Sequence, residues 1–153
     1  MKRIQEYRTP EGFYVADIDV TKEEWLGIIS DPAIKDNAYL DVLTKFFREP
    51  GHKSTCKALG KKFDCSFNYF NVTVMGFGKH VKKTLNRFYV ENTDGSESFW
   101  NIPMIGQKTK DGFEWTLRKE LVDALQEYLI NDLIASYKKF VMSPASIFSG
   151  EKY

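Results

Sequence analysis

The sequence is poor in the residues that build metal sites, disulfide frameworks and membrane spans. Its 153 residues include only two cysteines, Cys56 and Cys65, and two histidines, His52 and His80. Two thiols nine residues apart do not make a disulfide scaffold, and neither histidine has a carboxylate or thiol at zinc spacing. No apolar run approaches membrane-spanning length, and the N-terminus lacks the apolar segment of a signal peptide. We therefore expect a soluble, cytoplasmic protein with no metal, no cofactor and no membrane partner.

Net charge is also lacking, because 22 basic and 21 acidic residues nearly cancel, but their distribution is uneven. Residues 45–87 contain ten basic and two acidic side chains, whereas the remainder contains 12 basic and 19 acidic ones. A clustered basic segment of this kind is the electrostatic footprint of a nucleic-acid module. The alternative is that these lysines only solvate exposed faces.

The composition suits one folded domain, since 42% of the residues are hydrophobic and 15% are aromatic. We assign residues 1–142 to a single α+β recognition domain and residues 143–153 to a tail or linker that begins at Ser143-Pro144. Thr21 and Glu24 form the pattern of a capping box, which predicts a helix after Thr21. Apolar spacing predicts four more helices, at about 37–49, 54–63, 66–84 and 119–141.

Alternating β-forming residues predict strands within 12–20 and at 87–91, 98–102 and 113–117. The expected fold is a helix-turn-helix or winged-helix-like helical core with a small antiparallel sheet and a closing C-terminal helix. In that arrangement the hairpin at 87–102 is the wing. On the helix at 66–84 the stripe that we expect to face the core consists of Phe67, Phe70, Val74, Phe77 and Val81. Gly76 and Gly78 on the same helix indicate the close approach of another backbone.

The helix-turn-helix at 54–83 carries the main functional prediction. A long second helix of this kind can enter a major groove, where Asn side chains bond adenine edges. The residues predicted to contact bases are Asn68, Tyr69, Asn71 and Thr73. The residues predicted to hold phosphates are Lys57, Lys61, Lys62, Lys79, Lys82, Lys83 and Arg87. The competing interpretation is that two steeply crossed helices simply build a helical core.

Trp100 and Trp115 lie on neighbouring predicted strands and form a candidate aromatic pocket. Aromatic side chains of this kind can stack on a base or a modified base. The alternative is that both indoles belong to the core, as tryptophan on short strands commonly does. No phosphate-binding loop, catalytic triad or carboxylate cluster is recognisable, so the sequence predicts a protein without catalysis. A small nuclease or deaminase is the weaker alternative, because no ligand set supports it.

Four sequence blocks resemble a module of McrB-like proteins, the AAA+ subunits of modification-dependent restriction systems. These blocks lie at 49–60, 66–71, 99–104 and 112–121, and Thr21 to Trp25 resembles the opening helix of that module. The resemblance spans about residues 20–126 and implies a role in restriction or phage defence. It also implies that the chain reads DNA, including modified DNA, for a separate motor or nuclease subunit.

The second hypothesis is a protein-interaction module, either an adaptor or a phage-encoded inhibitor of a nucleic-acid enzyme. Its basis is the C-terminal helix, where several apolar residues lie off the main apolar stripe. The residues that could supply the partner face are Tyr128, Ile130, Ile134, Tyr137 and Phe140, some of which must lie off that stripe. The simplest form of this hypothesis is a homodimer through that helix.

Overall fold

The computed structural model describes residues 1–35 and 37–141, so the predicted tail at 143–153 lies outside the described residues. The α+β class and the closing C-terminal helix are confirmed. The helices are α1 Lys22–Ile29, α2 Pro32–Lys35, α3 Ala38–Arg48, α4 Cys56–Lys62, α5 Phe67–Leu85 and α6 Lys119–Val141. The strands are β1 Lys2–Gln5, β2 Tyr7–Arg8, β3 Phe13–Val15, β4 Lys53–Thr55, β5 Phe88–Glu91, β6 Glu97–Ser98, β7 Met104–Thr109 and β8 Gly112–Leu117.

Side-chain caps begin the helices at or near the predicted positions. Thr21 accepts a hydrogen bond from the Glu24 amide and Glu24 reaches back to the Thr21 amide, which confirms the capping box. Ser66 caps α5 by accepting from the Asn68 amide. Thr55 caps α4 and follows Ser54 in β4, so α4 begins later than predicted. Local hydrogen bonding therefore sets these helix starts.

The strands form two sheets rather than one small antiparallel sheet. The first has the order β1-β5-β6, with β1 parallel to β5, and the second has the order β2-β3-β7-β8-β4. The strand predicted at 98–102 is wrong, because β6 ends at Ser98 and the following residues form turns. The β7–β8 hairpin was predicted in part: the strand expected at 113–117 is confirmed as β8, whereas β7 was not predicted.

The core is formed by residues of the helices and of both sheets. Phe70, Val74, Phe77 and Val81 of α5 are buried as predicted, whereas Phe67 is 60% exposed. Phe67 is the first residue of α5, where the helix has not yet reached the hydrophobic interior. The core-facing prediction is therefore wrong for Phe67.

Glycines let the backbone pack closely at two places on the helix pair α4–α5. A Cβ on Gly78 would lie 2.0 Å from the carbonyl oxygen of Phe99, so the predicted close approach at Gly78 is confirmed. A Cβ on Gly60 would lie 2.7 Å from the carbonyl oxygen of Cys65, which holds the turn between α4 and α5 tight. Side chains at either position would force the backbone apart.

Helix α6 packs on the domain through its first half only. Leu121, Ala124 and Leu125 are buried, and α6 packs mainly against α1. From residue 130 to 141 every position is exposed, including Leu133, which the sequence pattern placed inward. Within residues 1–35 and 37–141, no helix is both long enough and apolar enough to span a membrane.

Candidate nucleic-acid interface and aromatic pocket

The predicted base-contacting residues of α5 differ in accessibility. Asn68 is exposed and Asn71 is partly exposed. Thr73 is only 7% exposed because it faces the core, so the prediction that Thr73 contacts a base is wrong for this conformation. Tyr69 donates its hydroxyl to Asp41 Oδ2 over 2.8 Å, and burial together with this bond raises the pKa of Tyr69 to about 12. Of the four predicted base contacts, Asn68 and Asn71 are therefore the two whose polar side chains remain accessible.

The exposed face of α5 also carries apolar residues that were not among the predicted base contacts. Val72 is 57% exposed, and Met75 is also exposed. With Asn68 and Lys79 they occupy positions spaced by four, three and four residues, which is one stripe along a helix. Along α5 this stripe presents an amide, two apolar side chains and an ammonium group. In protein–DNA complexes, apolar side chains contact the methyl groups of thymine.

Three of the seven predicted phosphate-binding residues already form ion pairs. Lys62 Nζ lies 2.6 Å from Glu49 Oε2, and Lys82 pairs with Glu97. Lys57, Lys61, Lys79 and Lys83 are exposed and have no carboxylate within ion-pair distance among the described residues. Fewer basic side chains are therefore free to bind phosphate than the sequence alone suggests.

Arg87 is the third ion-paired residue, and its contacts are structural. Its guanidinium pairs with Glu24 and also donates to Asp19 Oδ1 over 2.9 Å. The Arg87 hydrogen bond is the main cause that lowers the pKa of Glu24 to about 2, although partial burial opposes the shift. Because Arg87 joins the end of α5 to the capping box of α1, the prediction that it binds phosphate is not supported.

The fold brings two of the remaining lysines to a third one from the β7–β8 turn. Lys57 and Lys61 of α4 line a depression of about 330 Å³ together with Thr55, Ala58, Lys110 and Asp111. Lys110 was not predicted as a site residue, because it is far from α4 along the chain. We call the set Lys57, Lys61 and Lys110 the lysine cleft.

The predicted aromatic pair is also brought together. The rings of Trp100 and Trp115 lie 5.9 Å apart at an interplanar angle of 22°, and both line an open pocket of about 370 Å³. They do not sit on neighbouring strands as expected, because Trp100 lies in the turn after β6 and Trp115 lies on β8. Trp115 is nearly buried, so it serves the core as well as the pocket.

Two further aromatic rings complete this pocket. Phe113 contacts Trp100 edge to face at 5.3 Å and lies 5.6 Å from Tyr14 of β3. Gly106 of β7 makes room for them, since a Cβ there would lie 2.4 Å from the Phe113 ring and 2.7 Å from the Trp100 ring. We call Trp100, Trp115, Phe113 and Tyr14 the aromatic pocket.

A buried carboxyl group also lines the aromatic pocket. Glu6, which is 5% exposed, accepts a hydrogen bond from Asn101 Nδ2 at its Oε2 atom. The Asn101 loop is held by Arg118, which donates to the carbonyl oxygens of Asn101, Ile102 and Ala16 at 2.6–2.7 Å. Burial lowers the pKa of Arg118 to about 10, so the guanidinium stays charged at neutral pH.

The histidines and cysteines are not gathered around a metal position. His52 Nδ1 lies 2.6 Å from the Phe47 carbonyl, and His80 Nε2 lies 3.4 Å from Thr84 Oγ1. Within the described ranges no three His, Cys, Asp or Glu residues are placed to hold an ion together. Comparison with family models, curated proteins and solved structures found no match for the chain.

Proposed function

We propose that this chain is a non-catalytic DNA-binding specificity module with a winged-helix arrangement. The helices α3, α4 and α5 and the strands β4, β7 and β8 follow the chain order helix, strand, helix, helix, strand, strand, and β8 lies between β4 and β7. This order supports α5 as the recognition helix and the β7–β8 turn as the wing. The wing is thus a later hairpin than the one at 87–102 that the sequence suggested.

The observation that carries the proposal is the lysine cleft. Two lysines from a helix and one from the β7–β8 turn line one depression, together with a single carboxyl residue, Asp111. An excess of cations over carboxylates at such a position favours a phosphate backbone. The exposed stripe of α5 supplies the amide and apolar groups for base edges.

The test is fluorescence anisotropy with labelled DNA over a salt series. We compare Lys57→Ala/Lys61→Ala with Lys2→Ala/Lys119→Ala, a matched pair of exposed lysines elsewhere on the chain. The first pair should weaken binding to all sequences and lower the salt slope by about two units, since each lost phosphate contact removes about 0.9. Equal slopes for the two variants would overturn the assignment of the lysine cleft.

The finer part of the proposal rests on the resemblance to McrB-like modules. On that basis the chain recognises DNA, including modified DNA, for a separate motor or nuclease subunit in restriction or phage defence. Duplexes carrying modified cytosine or adenine, compared with unmodified duplexes and single strands, test this part. A preference for one modified duplex supports it, and equal affinity for every duplex contradicts it.

A second copy of the chain is the partner that α6 favours, and this is the second candidate function. Ile130, Leu133, Ile134 and Tyr137 are all between 46% and 70% exposed. Asp132 lies directly before Leu133, and Lys138 and Lys139 follow Tyr137, so an antiparallel pairing of two α6 helices places opposite charges together. We expect a dimer in light scattering, and Leu133→Asn/Tyr137→Asn should make it monomeric, whereas Asn131→Ser should not. A monomeric wild-type protein at high concentration would exclude this interface.

A further inference from the structure

The aromatic pocket has the size and chemistry of a base-binding site. Its volume of about 370 Å³ falls at the lower end of small-molecule sites, which span roughly 300–1,000 Å³. Its wall combines the aromatic rings with one cation, Lys108, and with two carboxyl residues, Glu6 and Asp94. Flat aromatic rings at such a wall suit stacking on a planar base.

The Glu6 carboxylate at this pocket is incompletely hydrogen-bonded. Glu6 uses Oε2 for Asn101, and no described residue donates a hydrogen bond to Oε1. Because an unpaired carboxylate oxygen in a nearly buried residue is costly, Oε1 of Glu6 points to a ligand that supplies a donor to this cavity.

We propose that the aromatic pocket binds an unpaired guanine base, with Glu6 accepting hydrogen bonds from its Watson–Crick edge. An ionised carboxylate only accepts hydrogen bonds. Guanine presents two adjacent donors, N1–H and the N2 amino group, which match the two oxygens of a carboxylate. Adenine and cytosine each place an acceptor nitrogen beside their amino donor, and uracil and thymine flank one donor with two acceptors. The carboxylate therefore selects guanine over the other bases.

The positioning of Glu6 follows from a chain of hydrogen bonds. Arg118 holds the backbone around Asn101, and the Asn101 amide in turn fixes one Glu6 oxygen. Because guanine uses the same edge in a base pair, the ligand is a free guanine nucleotide or a guanine outside a duplex. The site involves none of the three lysines of the lysine cleft, and thus goes beyond the proposed DNA contacts.

In the first experiment the wild-type protein is titrated with the monophosphates of guanosine, adenosine, cytidine and uridine. Binding is measured by tryptophan fluorescence and calorimetry. We expect guanosine monophosphate to bind about 10–100 times more tightly than cytidine monophosphate, the discrimination of a good bidentate pair. Single-stranded thymine oligonucleotides with one central guanine, set against the same guanine in a duplex, distinguish a strand ligand from a free nucleotide. Absence of nucleotide binding together with equal binding of guanine-containing and all-thymine strands would overturn the proposal.

The variants separate this site from the DNA contacts. Glu6→Gln should lose the guanine preference, since its amide nitrogen opposes the donors of guanine, and exposed Glu11→Gln should keep it. Trp100 is half-exposed, and Trp100→Ala should weaken the binding of every base. Thermal unfolding of this variant shows whether its fold persists. Lys57→Ala/Lys61→Ala should retain guanine binding even where duplex binding is lost. Retention of the full guanine preference by a folded Glu6→Gln variant would contradict the assignment of Glu6.

Discussion

Gly78 of α5 and Phe99 are in direct backbone contact. A Cβ on Gly78 would lie 2.0 Å from the Phe99 carbonyl oxygen and 2.7 Å from its carbonyl carbon. This contact sets how closely α5 approaches the chain that leads into Trp100, and so it links the predicted recognition helix to the aromatic pocket. Because backbone atoms cannot rotate away as a flexible side chain can, the position admits only glycine.

We expect Gly78→Ala to lower the free energy of unfolding by about 2–4 kcal/mol, as overpacking against an unyielding neighbour does. Gly27→Ala in α1 is the matched control, because a Cβ there meets nothing within 4 Å. That variant should stabilise the protein by about 0.5–1 kcal/mol through helix propensity. Urea unfolding measures both, and a neutral Gly78→Ala would refute the contact.

The ion pair of Glu24 and Arg87 predicts an acid-sensitive stability. The pKa of Glu24 falls from its usual 4.5 to about 2, chiefly through the Arg87 hydrogen bond. Since the folded pKa lies below the unfolded one, the stabilisation is complete above about pH 4.5 and is lost as the pH falls toward 2. Both side chains are about one-third exposed, so we expect about 1–2 kcal/mol after solvent screening.

The measurement is the free energy of unfolding against pH for the wild type and Glu24→Gln. The difference between the two should be constant at neutral pH and shrink below pH 4.5. Glu23→Gln replaces the exposed neighbouring carboxylate and should follow the wild-type curve. A constant difference down to pH 2 would exclude the pair as its source.

The contacts of Arg118 predict that even a charge-conserving substitution there lowers the stability of the protein strongly. Its guanidinium holds three backbone carbonyls, and a lysine ammonium cannot reproduce that planar geometry. We expect Arg118→Lys to destabilise the protein by about 2–3 kcal/mol. Exposed Arg8→Lys should change stability by less than about 0.5 kcal/mol in the same chemical unfolding assay.

The two thiols should differ in reactivity. Burial raises the pKa of Cys56 to about 12, whereas Cys65 is exposed. Since the thiolate is the reactive form, Cys56 should react slowly with a disulfide reagent at pH 8. Cys65→Ser should therefore abolish the fast phase in the native protein, and Cys56→Ser should leave it intact. Equal rates for both thiols would contradict the burial of Cys56.

Local sequence determined much of the secondary structure. The cap at Ser66, the capping box at Thr21 and the apolar spacing of Phe70 to Val81 predicted helix positions correctly, because these interactions join residues at most four apart. The short strands β1 and β2 were not predicted, since strands of two to four residues carry little periodic signal. Trp100 was placed on a strand although it lies in a turn, because β-forming composition alone does not define pairing.

Only the tertiary structure decided which predicted site residues are available. The sequence by itself determined two successive helices in a basic segment, but the carboxylates that engage Lys62, Lys82 and Arg87 come from outside these helices. Glu6 meets Asn101 across 95 positions of the chain, and Lys110 reaches α4 only through the β7–β8 hairpin. Such contacts depend on how whole elements pack, so no local pattern of residue types contains them.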